Sequence, residues 1–143
     1  MSDHSRKRAD AYVAAYNARD IEGVCTGLTG STSLSLAGGM FVFPDLSAWR
    51  GHHQNEWNAF PDARFEVTAT WPDAGACTIE GIWHGTMENA FVVPGMPPLP
   101  PTGRRTDLPC AIVVEADEGG TKRITGYWNS LVAMSELGLM PEP

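Results

Sequence analysis

Residues 96–105 read Met-Pro-Pro-Leu-Pro-Pro-Thr-Gly-Arg-Arg and join two runs whose alternating pattern is typical of long β-strands. The segment contains four of the chain's eleven prolines. Because proline fixes φ and removes a backbone hydrogen-bond donor, this segment cannot lie in the middle of a sheet. We therefore predict an extended, stiff crossing between two paired strands, and we expect any chemistry to lie near the strands that it joins.

The sequence on both sides of the crossing alternates between apolar and polar residues, which predicts strands. Before the crossing, the alternating runs are residues 64–71 and 76–92, separated by a Pro-Asp-Ala-Gly turn. After it, they are residues 106–115 and 122–131, separated by a turn that contains two glycines. Short connections of this kind favour antiparallel neighbours, so the four runs predict an antiparallel meander.

The first half of the chain is predicted to be mainly helical. Apolar residues recur every three or four positions in residues 4–18, in residues 21–28 and in residues 46–60, which predicts three helices. Between the second and third helices, residues 31–43 alternate around a Gly-Gly pair and predict an edge strand with a turn or bulge. A short helical tail is predicted over residues 132–137. Helices followed by a meander predict a single α+β domain over residues 1–143, in which one face of a curved antiparallel sheet packs on the N-terminal helices.

Composition excludes several classes of partner. The formal net charge is −7, with only ten Lys and Arg residues, so neither a nucleic acid nor an anionic membrane is expected to bind. No apolar run approaches the ~20 residues that span a bilayer, and the N-terminus lacks the apolar segment of a signal peptide. We expect a cytoplasmic protein.

Cysteine and histidine spacing indicates neither a disulfide framework nor a metal site. Cys25, Cys77 and Cys110 are an odd number of widely spaced residues, which favours buried reduced thiols. The adjacent His52 and His53 do not form a His-x-x-x-His motif. No metal or other cofactor is therefore expected.

Four motifs occur in a fixed order along the chain: Trp-Asn-Ala-Phe-Pro-Asp at 57–62, Trp-His-Gly-Thr at 83–86, the proline segment, and Leu-Gly-Leu-Met-Pro at 137–141. With these motifs, the chain resembles the SnoaL-like polyketide cyclases of the nuclear transport factor 2-like superfamily. The resemblance implies a cone-shaped α+β fold with a small-molecule pocket between helices and sheet, often in a homodimer. Members cyclise polyketides by intramolecular aldol chemistry, and relatives isomerise ketosteroids or open epoxides. An epoxide hydrolase would need converging Asp, Arg and Asp side chains, and no obvious set is present.

The chain departs from this family at three polar positions. The acid/base aspartate of the aldol cyclases corresponds to Asn129, which cannot take a proton from carbon. A family histidine on the preceding strand corresponds to Ile112, and another, which follows a Gly-Thr pair, corresponds to Met87. These departures argue against a direct transfer of the aldol mechanism.

The candidate catalytic residues are Asn129, Tyr127 and His53. The resemblance turns Asn129 and Tyr127 toward the pocket, where both could donate hydrogen bonds to a developing enolate oxygen. Alternatively, Asn129 satisfies backbone groups near the strand end. His53 lies on the apolar stripe of the third helix and is either the base or a hydrogen-bonded core residue. His52 is expected to be solvated or at an entrance.

An aromatic-rich interior would suit a flat or long apolar substrate. The candidate substrate-binding residues are Tyr16, Trp49, Trp57, Met87, Phe91, Ile112 and Trp128. The sequence thus predicts a cofactor-free cyclase or isomerase of apolar, polyketide-like carbonyl compounds in secondary metabolism. The alternative is a non-catalytic small-molecule binding protein that has lost the family's aspartate.

Overall fold

The computed structural model describes residues 3–93 and 95–140. Its helices are α1 (His4–Asn17), α2 (Ile21–Cys25), α3 (Leu46–Ala59) and α4 (Ser130–Glu136). Its strands are β1 (Ser33–Leu36), β2 (Phe41–Phe43), β3 (Arg64–Pro72), β4 (Ala76–Thr86), β5 (Arg105–Asp117) and β6 (Gly120–Tyr127). The predicted α+β class and the antiparallel meander, β3 to β6, are confirmed.

The sheet has six strands in the order β2-β1-β6-β5-β4-β3, and it is curved and unclosed. Residues 31–43 form a hairpin, β1 and β2, that widens the predicted four-stranded meander. β1 pairs with β6 in parallel, with Leu34 opposite Ile124. This parallel pair joins segments about ninety residues apart in the chain, so local periodicity could not predict it.

One face of the sheet and the N-terminal helices enclose the main core. Strand register places Cys77 opposite Val114, and Val114 opposite Ile124, so the three side chains share the inner face. All three residues are at most 3% exposed. α1 covers this face with the buried stripe that its periodicity predicted: Ala9, Tyr12, Val13 and Tyr16.

Two helix boundaries follow from capping side chains. The Asp20 carboxylate accepts a hydrogen bond from the Gly23 backbone N–H, at 3.0 Å, and begins α2. α2 was predicted to continue to residue 28 but ends at Cys25, because Thr26 has an extended backbone conformation. The Asp45 carboxylate accepts from the Ala48 N–H, at 2.8 Å, and begins α3 as predicted.

β4 ends at Thr86, whereas the sequence predicted a strand to residue 92. The Asp62 carboxylate accepts the backbone N–H of Thr86 at 2.7 Å. The N–H of Met87 still binds the Arg104 carbonyl at 2.9 Å, but the N–H groups of Glu88 and Asn89 both bind the Ala59 carbonyl at the end of α3. These contacts draw the chain away from the ladder toward α3.

The proline segment is one arm of a hairpin extension. Phe91 and Leu99 exchange two backbone hydrogen bonds, each 2.9 Å long, so the chain between them turns back on itself. The sequence predicted an extended crossing between two strands, and the structure adds this isolated pairing to it. Because Leu99 is hydrogen-bonded to Phe91, the proline segment is held next to the chain that follows β4.

A second apolar cluster packs beneath this extension. Its buried members are Ala59, Phe60, Ala63, Met87 and Leu137, with Trp57, Trp83, Phe91, Leu99 and Leu139 packed against them. Each of the four sequence motifs contributes at least one of these residues, and Pro141, the last residue of the fourth motif, lies outside the described residues. The four motifs therefore supply side chains that pack together at this end of the molecule.

The helices and the cysteines of the described residues bear on two of the sequence predictions. No helix there combines the length and apolar character needed to cross a bilayer. Cys25, Cys77 and Cys110 are all free thiols, and the predicted burial holds for Cys77, whereas Cys25 and Cys110 are only partly buried.

Candidate functional site

A polar cluster inside the apolar interior connects α1, α3 and β4. The hydroxyl of Tyr16 donates a hydrogen bond to Oε2 of Glu56. The same hydroxyl accepts a hydrogen bond of 2.8 Å from the indole Nε1 of Trp83. The Glu56 side chain is 17% exposed. Trp83 thus donates to the hydroxyl of Tyr16, which in turn donates to one carboxylate oxygen of Glu56.

His52 lies beside the other carboxylate oxygen. Its Nε2 is 3.7 Å from Oε1 of Glu56, one helical turn along α3, which is ion-pair distance but too long for a hydrogen bond. The His52 side chain is only 11% exposed and lies between the rings of Phe43 and Phe91. His52 was predicted to be solvated or at an entrance, and this low exposure contradicts the first alternative.

The cluster perturbs the titration of its members. Burial alone would raise the pKa of Glu56, but the interactions with His52 and the hydroxyl of Tyr16 together lower it. Burial, followed by the charge and hydrogen bond of Glu56, raises the pKa of Tyr16 well above its ordinary value. Glu56 is therefore an ionised carboxylate in the interior at neutral pH, and Tyr16 is a neutral donor.

His53 is buried beside this cluster, with both ring nitrogens engaged. Its Nδ1 lies 2.8 Å from the Trp49 carbonyl, which can only accept, so Nδ1 carries the proton. Its Nε2 then accepts from the hydroxyl of Tyr12 at 2.7 Å. Burial, with the nearby His52 as the second cause, lowers the pKa of His53 to about 4. His53 is thus a neutral, hydrogen-bonded core residue, the alternative that the sequence left open.

Tyr127 and Asn129 lie elsewhere. Tyr127 pairs with Ala111, while the neighbouring Gly126 pairs with the inner-face residue Ile112. Tyr127 therefore points to the outer face of the sheet and is 44% exposed, which corrects the expectation that it faces the interior. The exposed Asn129 begins α4, since its Oδ1 accepts from the N–H groups of Leu131 and Val132 at 3.1 and 3.2 Å. Because Asn129 begins α4, the strand that was predicted over residues 122–131 ends at Tyr127.

An open groove of about 600 Å³ lies at this end of β6. Its lining consists of Ala37, Met40, Tyr127, Trp128, Asn129, Ser130 and Leu131. Trp128 also packs against the main core, as do Phe41 and Ile112. Among the residues that line the groove, Trp128 is therefore the one that also packs against the main core.

The predicted substrate-binding residues divide between the two apolar clusters. Tyr16 and Trp49 are buried in the main core, and Ile112 and Trp128 pack against it. Met87 is fully buried in the second cluster, and Phe91 packs there. Trp57 contacts both clusters. The structure brings Tyr16, Trp49 and Trp57 around His53 and leaves Asn129 and Tyr127 outside this group.

Sequence reasoning missed Glu56 as a candidate residue. Glu56 follows His52 by four residues and Trp49 by seven, so it belongs to the same helical face as the apolar stripe of α3. A carboxylate on such a stripe is the signal that could have identified it.

The described residues provide neither a metal-binding cluster nor a reactive thiol at Cys110. Within residues 3–93 and 95–140, no three His, Cys, Asp or Glu side chains lie close enough to hold a metal ion together. Burial raises the pKa of Cys110 to about 12, so this inner-face thiol is protonated and a poor nucleophile.

Comparison with known proteins supports the fold. A family model described as "SnoaL-like domain" matches residues 9–127. A candidate polyketide cyclase from Xanthomonas campestris pv. campestris has a TM-score of 0.79 at 17% identity, over 95% of this chain and 99% of that one. A candidate SnoaL-like polyketide cyclase from Jannaschia sp. CCS1 has a TM-score of 0.78 at 12% identity, over 99% and 98% of the two chains.

A third solved structure has a different description. AclR, a candidate hydroxylase from Streptomyces galilaeus, is 17% identical, covers 96% of this chain and 97% of its own, and has a TM-score of 0.76. At these identities the solved structures establish the shared fold alone, and the activities for which they are candidates differ. No curated protein matches the sequence.

Proposed function

The chain belongs to the SnoaL-like domain family, and on that premise we propose that it is a cofactor-free cyclase or isomerase of an apolar carbonyl compound. The observation that carries the proposal is Glu56, an ionised carboxylate inside an aromatic interior, held by Tyr16 and flanked by His52. It supplies the acid/base group that Asn129 cannot supply.

Glu56 has the chemistry of a general base for an enolisable carbonyl compound. Oε1 is the reactive oxygen, because Oε2 is occupied by the hydroxyl of Tyr16. Oε1 takes a proton from the carbon next to the carbonyl, the C–H bond breaks, and its electron pair moves onto the carbonyl oxygen to form an enolate. Return of the proton at another carbon gives an isomer, whereas attack of the enolate on a second carbonyl gives a ring.

The residues predicted from the sequence have supporting roles in this scheme. With Oδ1 committed to the cap of α4, the amide group of Asn129 offers its Nδ2 donor to a substrate in the groove. Tyr127 and Trp128 line that groove, which we assign as the path toward the interior. His53 positions Tyr12 and Trp49 rather than moving a proton.

A second candidate function is non-catalytic small-molecule binding. The capping role of Asn129 and the engaged ring nitrogens of His53 favour it, because neither residue has a free acid/base group. Substrate class, secondary metabolism, the homodimer and the cytoplasmic location stay predictions from the sequence.

The test is hydrogen exchange in deuterated water with a panel of aryl and polycyclic ketones, followed by NMR at the carbon next to the carbonyl. We expect the wild type to exchange at least one member of the panel, and Glu56→Gln to lower that rate at least ~100-fold, the usual worth of a general base. Gln keeps an oxygen for the hydroxyl of Tyr16 to bind. The matched control is Glu80→Gln, because Glu80 is exposed on the outer face of β4.

Two results decide between the candidates. Equal exchange rates for the Glu56→Gln and Glu80→Gln variants refute Glu56 as the base. Binding of ketones without exchange by the wild-type protein supports the non-catalytic alternative.

A further inference from the structure

The indole of Trp83 lies where the two apolar clusters meet. Trp83 belongs to the Trp-His-Gly-Thr motif at 83–86, and the strand register places it on β4 opposite the buried residues Phe65 and Leu108. The indole packs against both clusters. Its position alone would make Trp83 a core residue, but its Nε1 is directed at the polar cluster and donates to the hydroxyl of Tyr16 at 2.8 Å.

The hydrogen bond from Trp83 decides which way the proton of Tyr16 points. An indole N–H can only donate and an ionised carboxylate can only accept, whereas a phenol hydroxyl does both. The oxygen of Tyr16 therefore accepts from Trp83, and its single proton is left for Oε2 of Glu56. A water molecule in the place of the indole could accept that proton and draw the hydroxyl away from Glu56.

The same bond makes Tyr16 a stronger donor. Burial, followed by Glu56, raises the pKa of Tyr16, and the hydrogen bond from Trp83 acts in the opposite direction. Hydrogen bonds in a chain polarise one another, which strengthens each by roughly 10–30%. Because the hydroxyl then holds Oε2 of Glu56 firmly, Oε1 keeps its position as the oxygen that takes a proton.

Gly85 provides the space in which the indole lies. It follows Trp83 by two residues on the same face of β4, and an added Cβ would lie 2.4 Å from Cη2 and 2.9 Å from Cζ2 of the indole. A side chain at position 85 must therefore displace the ring. The ring of Phe60 also packs edge-on against the indole, with the ring centres 5.0 Å apart. These contacts determine where Nε1 points.

We propose that Trp83 is a positioning residue for Glu56: its indole N–H fixes the hydroxyl of Tyr16 as a donor to the carboxylate, and Gly85 provides the space that this geometry requires. The inference rests on the proposed function in taking Glu56 as the base, but the coupling between Trp83 and Glu56 can be measured without turnover. The Trp-His-Gly-Thr motif then acts on the site through its first and third residues.

The first experiment records the indole N–H signal of Trp83 at pH 7 in ¹⁵N-labelled protein, assigned through its backbone resonances. We expect Glu56→Gln to move this signal, because loss of the charge weakens the pull on the hydroxyl that the indole binds. The matched control Glu80→Gln, on the outer face of β4, should leave the signal in place. In a Tyr16→Phe background, Glu56→Gln should no longer move it, since the connecting hydroxyl is absent.

Two results of this experiment overturn the proposal. One is a Trp83 signal that responds equally to Glu56→Gln and Glu80→Gln. The other is a response to Glu56→Gln that persists without the hydroxyl of Tyr16. If Tyr16→Phe does not fold, the comparison of the two glutamine variants decides.

The second experiment titrates the Glu56 carboxylate by ¹³C NMR in the wild type, Trp83→Phe and Gly85→Ala. The matched control is Gly75→Ala, whose added Cβ meets no atom within 4 Å. The hydroxyl of Tyr16 is one of the causes, after His52, that lower the pKa of Glu56 against burial. A weakening of 10–30% in a hydrogen bond to a charged group corresponds to roughly 0.1–0.7 pH unit.

We expect the midpoint to rise by about 0.5 pH unit in Trp83→Phe and Gly85→Ala, and to stay in place in Gly75→Ala. The other titratable groups near the carboxylate are the same in all of these proteins: His52 and His53 on α3, Tyr12 and Tyr16 on α1, and Cys110 on β5. Midpoints equal to that of the wild type in both variants overturn the proposal, even where melting temperatures fall, because a structural role alone lowers stability without moving the midpoint. If Trp83→Phe does not fold, Gly85→Ala decides, and if acid unfolds the protein before the midpoint, the indole signals at pH 7 decide.

The outcomes separate this inference from the proposed function. In the ketone exchange assay we expect Trp83→Phe to be about tenfold slower at saturating ketone, with KM nearly unchanged. Coupling between Trp83 and Glu56 without proton exchange for any ketone supports the positioning of the carboxylate and refutes the enzyme. Exchange that requires Glu56 but proceeds at the wild-type rate in Trp83→Phe, with an unmoved midpoint, supports the enzyme and refutes the role of Trp83.

Discussion

Replacing Tyr16 with phenylalanine tests whether the carboxylate of Glu56 depends on its donor. The change removes one oxygen atom and keeps the ring, so apolar packing is nearly preserved. It deletes the hydrogen bond to Oε2 of Glu56 and the acceptor of the indole N–H of Trp83. Two buried polar groups are left unpaired by one substitution.

The expected decrease in the free energy of unfolding follows from the loss of these two hydrogen bonds. A hydrogen bond to a charged group contributes about 1.5–3 kcal/mol, and an unpaired buried donor costs about 1–3 kcal/mol. Since the two bonds share one hydroxyl, they are not additive, and we expect a loss of about 3 kcal/mol in the free energy of unfolding. For a domain of this size that corresponds to roughly 6–12 °C in melting temperature.

The variant also changes the pH dependence of stability. Because the folded state lowers the pKa of Glu56, its contribution is present at neutral pH and is lost as the pH falls through the folded pKa. Removing the hydroxyl of Tyr16 removes one cause of that lowering. In Tyr16→Phe, we therefore expect the acid loss of stability to begin at higher pH than in the wild type.

The assay is urea unfolding between pH 3 and pH 8, followed by tryptophan fluorescence and circular dichroism. Tyr127→Phe is the matched control, since Tyr127 is 44% exposed on the outer face, and we expect it to change stability by less than about 0.5 kcal/mol. Equal stabilities and equal pH profiles for the two variants would show that the hydroxyl of Tyr16 does not hold the carboxylate.

Two further substitutions test the fold around the site. Asn129→Ala should destabilise the protein by about 1 kcal/mol, because it removes the cap of α4, and Asn129→Ser should restore most of this loss in urea unfolding. No loss for Asn129→Ala would contradict the capping role. Gly81→Ala should destabilise strongly, by about 3 kcal/mol or more, since an added Cβ would lie 2.3 Å from the Glu66 carbonyl oxygen. Gly75→Ala meets no atom within 4 Å, and a melting temperature for Gly81→Ala as high as that of this control would refute the contact.

Local patterns predicted most of the fold because they record which face of an element is buried. The spacing of Tyr12 and Tyr16 predicted the inner face of α1, and the alternation of Cys77 and Ile79 predicted the inner face of β4. Boundaries were predicted less well. The end of β4 depends on Ala59, whose carbonyl accepts two backbone donors, and such a contact between distant segments leaves no periodic trace.

The site was predicted less well than the fold, for a specific physical reason. Resemblance directed attention to the strand position of Asn129, where the family places its carboxylate, and away from the helix that faces the same interior. Glu56 does not disturb the apolar stripe of α3, since the stripe is completed by Trp49, His53 and Trp57 around it. A single polar residue within such a stripe is easily assigned to the solvated side.

The positions of Glu56 and Asn129 give a physical account of how this fold could hold an acid/base group on a helix and not on the sheet. α3 and the inner face of the sheet enclose the same interior, so a carboxylate can enter that volume from either side. An ionised carboxylate there needs stabilising partners: on the helical side the hydroxyl of Tyr16 donates a hydrogen bond to it, and His52 Nε2 lies 3.7 Å away. At position 129, the side-chain oxygen instead receives two N–H groups of α4. An aspartate at this position would accept the same two donors, so Asn129→Asp alone should not restore a base free to take a proton, and the Glu56→Gln exchange experiment should give the same result in that background.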